Sequence, residues 1–374
     1  MPQRSALRRF RFVNLNVLGE NIMSILHDLG YGPFFSAQVE LLAPGSAFLP
    51  ARVSSESRGI YQLVGCSATL GTLSGKLLSQ LRAIDRPTVG DWLAVSVNGE
   101  RAVIQHVLDR RTLLKRRAAD TEATVQPIAA NVDRFFIVTS ANHELNPRRL
   151  ERYLAAVWES DAEPVIVLNK IDLVRDASSM RASIESVAPQ VRILAVSALT
   201  GTGVRELEAL LEPGKTVGLI GSSGVGKSSL TNSLLGHESM ATAEVGWEAK
   251  GRHTTTHKQL VILPGRGVLL DTPGLRELGL VGDASGLGSA FVDIQDVGAG
   301  CRFRDCQHER EPGCAVLAAI EAGVLTEERL RSYHKLGREL RAAQQRRDPA
   351  LMANAKRRWK AIAKSNRKRT RSED

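Results

Sequence analysis

Gly221-Ser-Ser-Gly-Val-Gly-Lys-Ser228 constrains this 374-residue chain more than any other segment, because its chemistry needs a strand before it and a helix after it. Thr216 to Gly221 is apolar enough for a buried strand, and Leu230, Leu234 and Leu235 recur at helical spacing beyond it. In that setting Gly221, Ser222, Ser223, Gly224, Val225 and Gly226 can curl their backbone N–H groups around a phosphate at a helix N-terminus. Lys227 would neutralise β and γ oxygens, the Ser228 hydroxyl would ligate Mg²⁺, and Ser229 beside it completes the nucleotide-binding loop.

The chain around this loop alternates strands with helices. Arg134 to Ser140 reads as a buried strand, and Asn146-Pro147 as a helix start followed by Leu150, Tyr153, Leu154 and Val157 on one face. A strand at 164–169, a helix near 178–187, a strand at 191–197, a helix at 204–211 and a strand at 216–221 follow, which predicts a mostly parallel sheet with helices on both faces. From about 48 to 125 the texture is different. Short strand-like runs at 58–64, 69–73, 92–97 and 102–108 predict a small β-barrel, OB-like by preference with an SH3-like barrel as the alternative. The basic segment Arg110 to Arg117 reads as a loop closing it. The expected organisation is an extension at 1–47 with no assignable chemistry, an RNA-binding barrel at 48–125, an α/β P-loop domain at 130–282, a helical metal-binding domain at 283–345 and a basic tail at 346–374.

A phosphate loop alone does not choose a base, but Asn169-Lys-Ile-Asp172 does. At the end of a strand, the Asp172 carboxylate can accept from the guanine N1–H and 2-amino group, a donor pair that adenine lacks. Lys170 can lie along the base, Asn169 can brace the phosphate loop, and a backbone N–H of Ser197-Ala198 can meet guanine O6. Downstream, Asp271-Thr-Pro-Gly274 ends an apolar run, placing Asp271 to hold Mg²⁺ through water and the Gly274 N–H to sense a γ-phosphate. Between them Gly251-Arg-His-Thr-Thr-Thr-His257 suits a mobile loop supplying a Thr hydroxyl to Mg²⁺. Thr254, Thr255 and Thr256 all qualify, and Thr255 is the preferred ligand.

Cys301, Cys306, His308 and Cys314 place three thiolates and an imidazole within a short span, a full ligand set for one closed, structural Zn²⁺ site. Cys66 falls in a strand run and reads as a core residue. Four Cys in a chain this long exclude a disulfide-stapled scaffold and suggest a reducing compartment. No apolar stretch approaches the ~20 residues that span a bilayer, and the Arg-rich start leads into Asn14, Asn16 and Glu20, so a cytoplasmic protein without a membrane partner is expected. The net charge of +10 is concentrated at one end: residues 331–374 hold 15 basic and 4 acidic residues. Lys356-Arg-Arg-Trp-Lys360 and the basic run to Arg371 favour an RNA partner tracked through its phosphates.

Taken in order, Asn-Lys-x-Asp and Ser-Ala precede the phosphate loop, the Thr segment and Asp-x-x-Gly, whereas most small GTPases place them after it. This arrangement resembles the circularly permuted GTPases, and with a barrel before it and a Cys/His cluster after it the chain resembles the ribosome small-subunit-dependent GTPase A family over roughly residues 48 to 340. The resemblance implies an OB fold, a permuted G domain, a zinc domain, GTP and GDP as ligands, and late maturation of the small ribosomal subunit with its rRNA, by a chain expected to be a monomer. A GTP-responsive RNA-binding regulator with incidental hydrolysis is the alternative, and a zinc-dependent nucleic-acid-binding protein using ATP a weaker one. Leu275 stands directly after Asp-x-x-Gly, where many GTPases carry a water-orienting Gln. His253 on the polar loop, with Lys227, is then the expected catalytic group.

Overall fold

The computed structural model describes residues 22–42, 48–117, 125–142, 145–243, 259–271 and 285–347, with backbone alone at 237–243, 285, 343 and 345–347. The described residues up to Leu114, Pro127–Pro147 and Asp161 to Asp271 form one compact unit; Lys115 to Gln126, Arg148–Ser160 and 285–347 form another.

In the first unit the described residues begin with two helices, α1 (Ile22–Asp28) and α2 (Pro33–Leu42), in the stretch for which the sequence suggested no role. Leu26, Leu29 and Phe35 are buried, and the Tyr31 ring lies 5.0 Å from Trp92. Five strands then close a barrel in the order β1-β2-β3-β5-β4: β1 (Leu49–Ser57), β2 (Ile60–Val64), β3 (Leu70–Leu73), β4 (Trp92–Asn98) and β5 (Arg101–Val107), with α3 (Gly75–Gln80) after β3. Only β3 and β5 pair in parallel, and of the two barrels expected this is the OB-like one. Ala51, Val53, Tyr61, Leu63, Leu93, Val95, Ala102 and Ile104 alternate inward and fill the barrel.

β1 escaped the sequence reading because a charge interrupts it. Arg52 is 1% exposed, and its guanidinium donates to the carbonyls of Leu29 (2.6 Å), Gly90 (3.1 Å) and Asn131 (3.1 Å). Burial pulls its pKa down to about 10, so it stays charged near neutrality. The expected basic loop at 110–117 needs correction as well. Residues Leu113–Arg117 are a strand, β6, paired with β7 (Val125–Ala130). Arg110 grips the buried Asp91 through two 2.8 Å bonds and donates to the Ile84 and Arg86 carbonyls, so it closes the barrel and is not free for a phosphate. Cys66 lies just past β2, half-buried against the barrel core.

The six-stranded sheet has the order β10-β9-β8-β11-β13-β12. Its strands are β8 (Arg134–Ser140), β9 (Glu163–Asn169), β10 (Arg192–Ala195), β11 (Thr216–Gly221), β12 (Gln259–Leu263) and β13 (Gly267–Asp271). All neighbours are parallel except β12, which forms a hairpin with β13. Nearly continuous burial along β8, β9, β11 and β13 explains why these strands read as apolar runs. α4 (Pro147–Glu159) follows β8, α5 (Ser178–Glu185) follows β9, α6 (Val204–Glu208) follows β10, and α7 (Lys227–Ala243), broken at Gly236, follows β11. α6 ends three residues short of expectation, where Leu210 and Leu211 switch to i−3 carbonyls ahead of Pro213.

The second unit packs the chain from Arg148 to Ser160 with α8 (Ser285–Ala290), α9 (Val292–Gly298), α10 (Ala315–Glu321) and α11 (Glu327–Arg347) around Leu287, Phe291, Ile294, Val316, Leu330 and Leu336. Among the described residues no helix is long and apolar enough to cross a membrane.

Candidate nucleotide site and metal centre

Parallel strands deliver their carboxyl ends to one edge of a sheet, and there β9, β11 and β13 end at Asn169, Gly221 and Asp271, with Ser197 shortly after β10. Two glycines are demanded by close approach. A Cβ on Gly221 (φ 147°) would meet the Val138 carbonyl at 2.3 Å, and one on Gly226 (φ 96°) would meet Asn169 Nδ2 at 2.3 Å. The Val225 side chain is buried in the sheet core, while Ser223, Gly224, Ser228 and Ser229 are exposed around the start of α7. Lys227 Nζ donates to the carbonyls of Gly221 (2.7 Å) and Ser222 (2.6 Å), folding over the loop it would serve.

Asn169, 1% exposed, ties three segments together. Its Nδ2 donates to the Val225 carbonyl at 2.9 Å, and its Oδ1 accepts from the Ala198 N–H at 3.1 Å. The expected brace on the phosphate loop is therefore a direct hydrogen bond. Of the backbone N–H groups offered from sequence as contacts for guanine O6, that of Ala198 is bonded to Asn169 in this structure. Lys170 adopts a left-handed backbone (φ 64°), and its Nζ donates to the Gly224 carbonyl at 2.6 Å, which lays its stem across the mouth of the loop. Asp172 follows on a short 3₁₀ turn, where its Oδ1 accepts from the buried Ser197 hydroxyl at 2.5 Å. Ser197 Oγ in turn accepts from the Thr200 N–H at 3.1 Å. Sequence reasoning assigned Ser197 to the site but missed this side-chain grip on Asp172, and Thr200 was missed altogether; a Ser two residues beyond a strand and three before a Thr was the available signal.

Asp271 is 9% exposed, and burial pushes its carboxyl pKa up against the opposing pull of Lys227. His253, Thr254, Thr255, Thr256, Gly274 and Leu275 lie outside the described residues, as does Trp359.

In the second unit Cys301, Cys306, His308 and Cys314 bring their ligand atoms within 4.8 Å of one another. Cys301 Sγ is 3.9 Å from Cys314 Sγ and 3.6 Å from His308 Nδ1, and His308 Nδ1 is 3.4 Å from Cys314 Sγ. A tetrahedral ion with metal–sulfur bonds of ~2.3 Å and metal–nitrogen bonds of ~2.0 Å has edges of about 3.8 and 3.5 Å, which the separations among Cys301, His308 and Cys314 match closely, and with Cys306 gathered alongside them the four residues could hold a metal ion. Burial lowers the His308 pKa, favouring the neutral imidazole that ligates. The loop is held by Glu311, whose carboxylate accepts from the N–H groups of Gln307, Glu309 and Arg310 and has its pKa pulled to about 2.

A phosphate-loop motif on a mostly parallel sheet, with Asn-Lys-x-Asp and Ser-Ala earlier in the chain, a five-stranded barrel ahead of it and a Cys₃His cluster behind, defines a circularly permuted GTPase. The RsgA GTPase family model matches residues 107–281. The small ribosomal subunit biogenesis GTPase RsgA of Opitutus terrae is 42% identical over 93% of this chain and 98% of its own, and that of Methanosarcina acetivorans 43% over 88% and 90%. The crystal structure of YjeQ from Thermotoga maritima is 28% identical and aligns with a TM-score of 0.57, covering 78% of this chain and 98% of that one. The fold also matches YloQ, described as a circularly permuted GTPase, with a TM-score of 0.55 at 24% identity over 80% of this chain and 97% of that one. The chain belongs to the RsgA GTPase family, GTP hydrolases of ribosome biogenesis.

Proposed function

We propose that this chain binds the small ribosomal subunit and hydrolyses GTP to GDP and phosphate during late maturation of that subunit. The observation that carries the guanine reading is the bonded set Asn169–Val225 and Asp172–Ser197, which presents an oriented carboxylate beside the phosphate loop. Asp172 accepts from the guanine edge, Lys170 lines the base, and the loop N–H groups from Ser222 to Ser229 cradle the phosphates. Ser228, Thr255 and Asp271 would hold the Mg²⁺ that accompanies GTP, and the ion would supply charge neutralisation at the phosphates. Lys227 leaves the loop carbonyls for the phosphate oxygens, Gly274 senses the γ-phosphate, and His253 orients the attacking water.

The Cys₃His centre takes one structural Zn²⁺, consistent with four protein ligands and no open position. The barrel and the basic tail track rRNA phosphates from a monomeric, cytoplasmic protein with no membrane partner. Competition binding tests the base assignment. GTP and GDP should displace a fluorescent guanine nucleotide while ATP does not, and equal displacement by ATP would remove Asp172 from this role.

A further inference from the structure

Among the four residues of the metal centre, His308 alone has a left-handed backbone, with φ 58°, a conformation uncommon for a residue with a side chain and kept only where the surroundings hold it. Two ligand contacts depend on it. The His308 ring presents Nδ1 to Cys314 Sγ at 3.4 Å and to Cys301 Sγ at 3.6 Å, while the His308 N–H donates to the Cys306 sulfur. The far edge of the ring lies against Gly298, where a Cβ would come within 3.4 Å of Cε1 and Nε2. Nδ1 is therefore the nitrogen that reaches the sulfurs, and a rotation of the backbone at 308 would carry ring and N–H away together.

What holds that backbone is a carboxylate three residues on. Glu311 Oε1 accepts from the Gln307 N–H at 2.9 Å, and its Oε2 accepts from the N–H groups of Glu309 at 2.8 Å and Arg310 at 3.0 Å. The carboxylate thus clasps the chain on both sides of His308. Successive N–H groups converging around a left-handed residue make a nest, a concavity suited to an anion, and here the chain fills it with its own side chain. The frame is tied down at further points: the Cys314 N–H donates to the Glu311 carbonyl at 3.3 Å, the Cys306 N–H to the Phe303 carbonyl at 3.3 Å, and His334 Nε2 on α11 to the Gln307 carbonyl at 2.8 Å.

We propose, on the metal-binding reading above, that Glu311 is a positioning residue for the metal centre: its carboxylate, seated in the nest of residues 307–310, fixes the left-handed backbone of His308 and so aims Nδ1 at the ion and the His308 N–H at Cys306. Glu311 itself touches no ligand position. Its action runs through His308, as that of groups which orient a metal ligand from outside the coordination sphere does.

Metal binding by the full chain under reducing conditions tests it, with Co²⁺ as the spectroscopic probe and Zn²⁺ measured by competition with a chromophoric chelator. Binding by the unsubstituted protein is the control for the metal reading: if neither ion binds, that reading fails on its own account. Given binding, Glu311→Gln, which keeps the side-chain shape but sets an amide donor where a carboxylate oxygen accepted, should weaken Zn²⁺ binding at least about tenfold, the lower end for such groups. The visible Co²⁺ bands should shift as the imidazole is lost. General loosening of the loop would also lower affinity, so a cycle with His308→Gly decides between the two. Glycine takes up the left-handed backbone freely and carries no ring, so on that background Glu311→Gln should cost less than about threefold. Unchanged affinity and spectrum in Glu311→Gln would overturn the proposal. An equal loss with and without the His308 side chain would overturn it as well, because Glu311 would then brace the loop without aiming the ligand.

Discussion

Ser197 Oγ donates to Asp172 Oδ1 at 2.5 Å while accepting from the Thr200 N–H, so the carboxylate expected to read guanine is aimed by the loop after the neighbouring strand. Removing that hydroxyl leaves Asp172 free to rotate. Ser197→Ala should weaken GDP binding several-fold by loosening Asp172, and should also lower thermal stability, because a hydrogen bond to a charged group contributes roughly 1.5–3 kcal/mol and this one is made before any nucleotide binds. Asp172→Asn should instead shift preference toward xanthine nucleotides, whose 2-oxo group accepts from an amide and repels a carboxylate. Calorimetric titration with GDP and XDP checks both, and an unaltered GDP preference in Asp172→Asn would exclude the residue from base reading.

Asp271 is held at a cost. Burial raises its folded pKa above the unfolded value, so between the two values the folded state binds more protons and stability falls as pH rises. The penalty is fully present once pH exceeds the folded value. Asp271→Asn should therefore melt higher than the parent at pH 7.5, lose that advantage as pH drops below the ordinary carboxylate range, and hydrolyse GTP poorly. Melting curves across pH measure the first two effects, and a lower melting point at neutral pH would show that the carboxylate is satisfied by partners rather than strained.

Freshly purified protein should contain one zinc per chain by metal analysis. Cys306→Ser or chelation should expose residues 285–347 to exchange while the six-stranded sheet stays protected, since metal binding in a closed site is coupled to local folding. Metal-free protein with full protection of α10 and α11 would refute a structural ion.

Truncation after residue 347 should weaken binding to ribosomal RNA and flatten its salt dependence, by about 0.7–0.9 in log–log slope for each phosphate the tail no longer neutralises. Filter binding over a salt series reads both. An identical slope would show that the basic tail touches no phosphate.

The contrast between legible and hidden elements has physical causes. β8, β9 and β11 read directly because strands buried on both faces are continuous apolar runs, and α4 began at Pro147 because Pro fits the first helical turn. β1 was hidden by Arg52, a cation that only three carbonyls brought together by the fold make tolerable inside. The segment at 110–117 read as a loop because its charges mask a two-stranded ribbon, and pairing to β7 is not local information. At the site, Asn169 and Asp172 were legible as residue types at a strand end. The hydroxyl of Ser197 and the carboxylate of Glu311 act through contacts that only folded loops create.

GTP turnover by the full chain, with and without purified small ribosomal subunits, tests the central claim most directly. Slow turnover alone and a rise of about tenfold or more with saturating subunits is the predicted result, with His253→Ala keeping GTP affinity and subunit binding but losing most of the rise, as expected when docking orders the group that positions the water. Turnover unaffected by the subunits would contradict a subunit-coupled GTPase and leave the GTP-responsive RNA-binding regulator in its place.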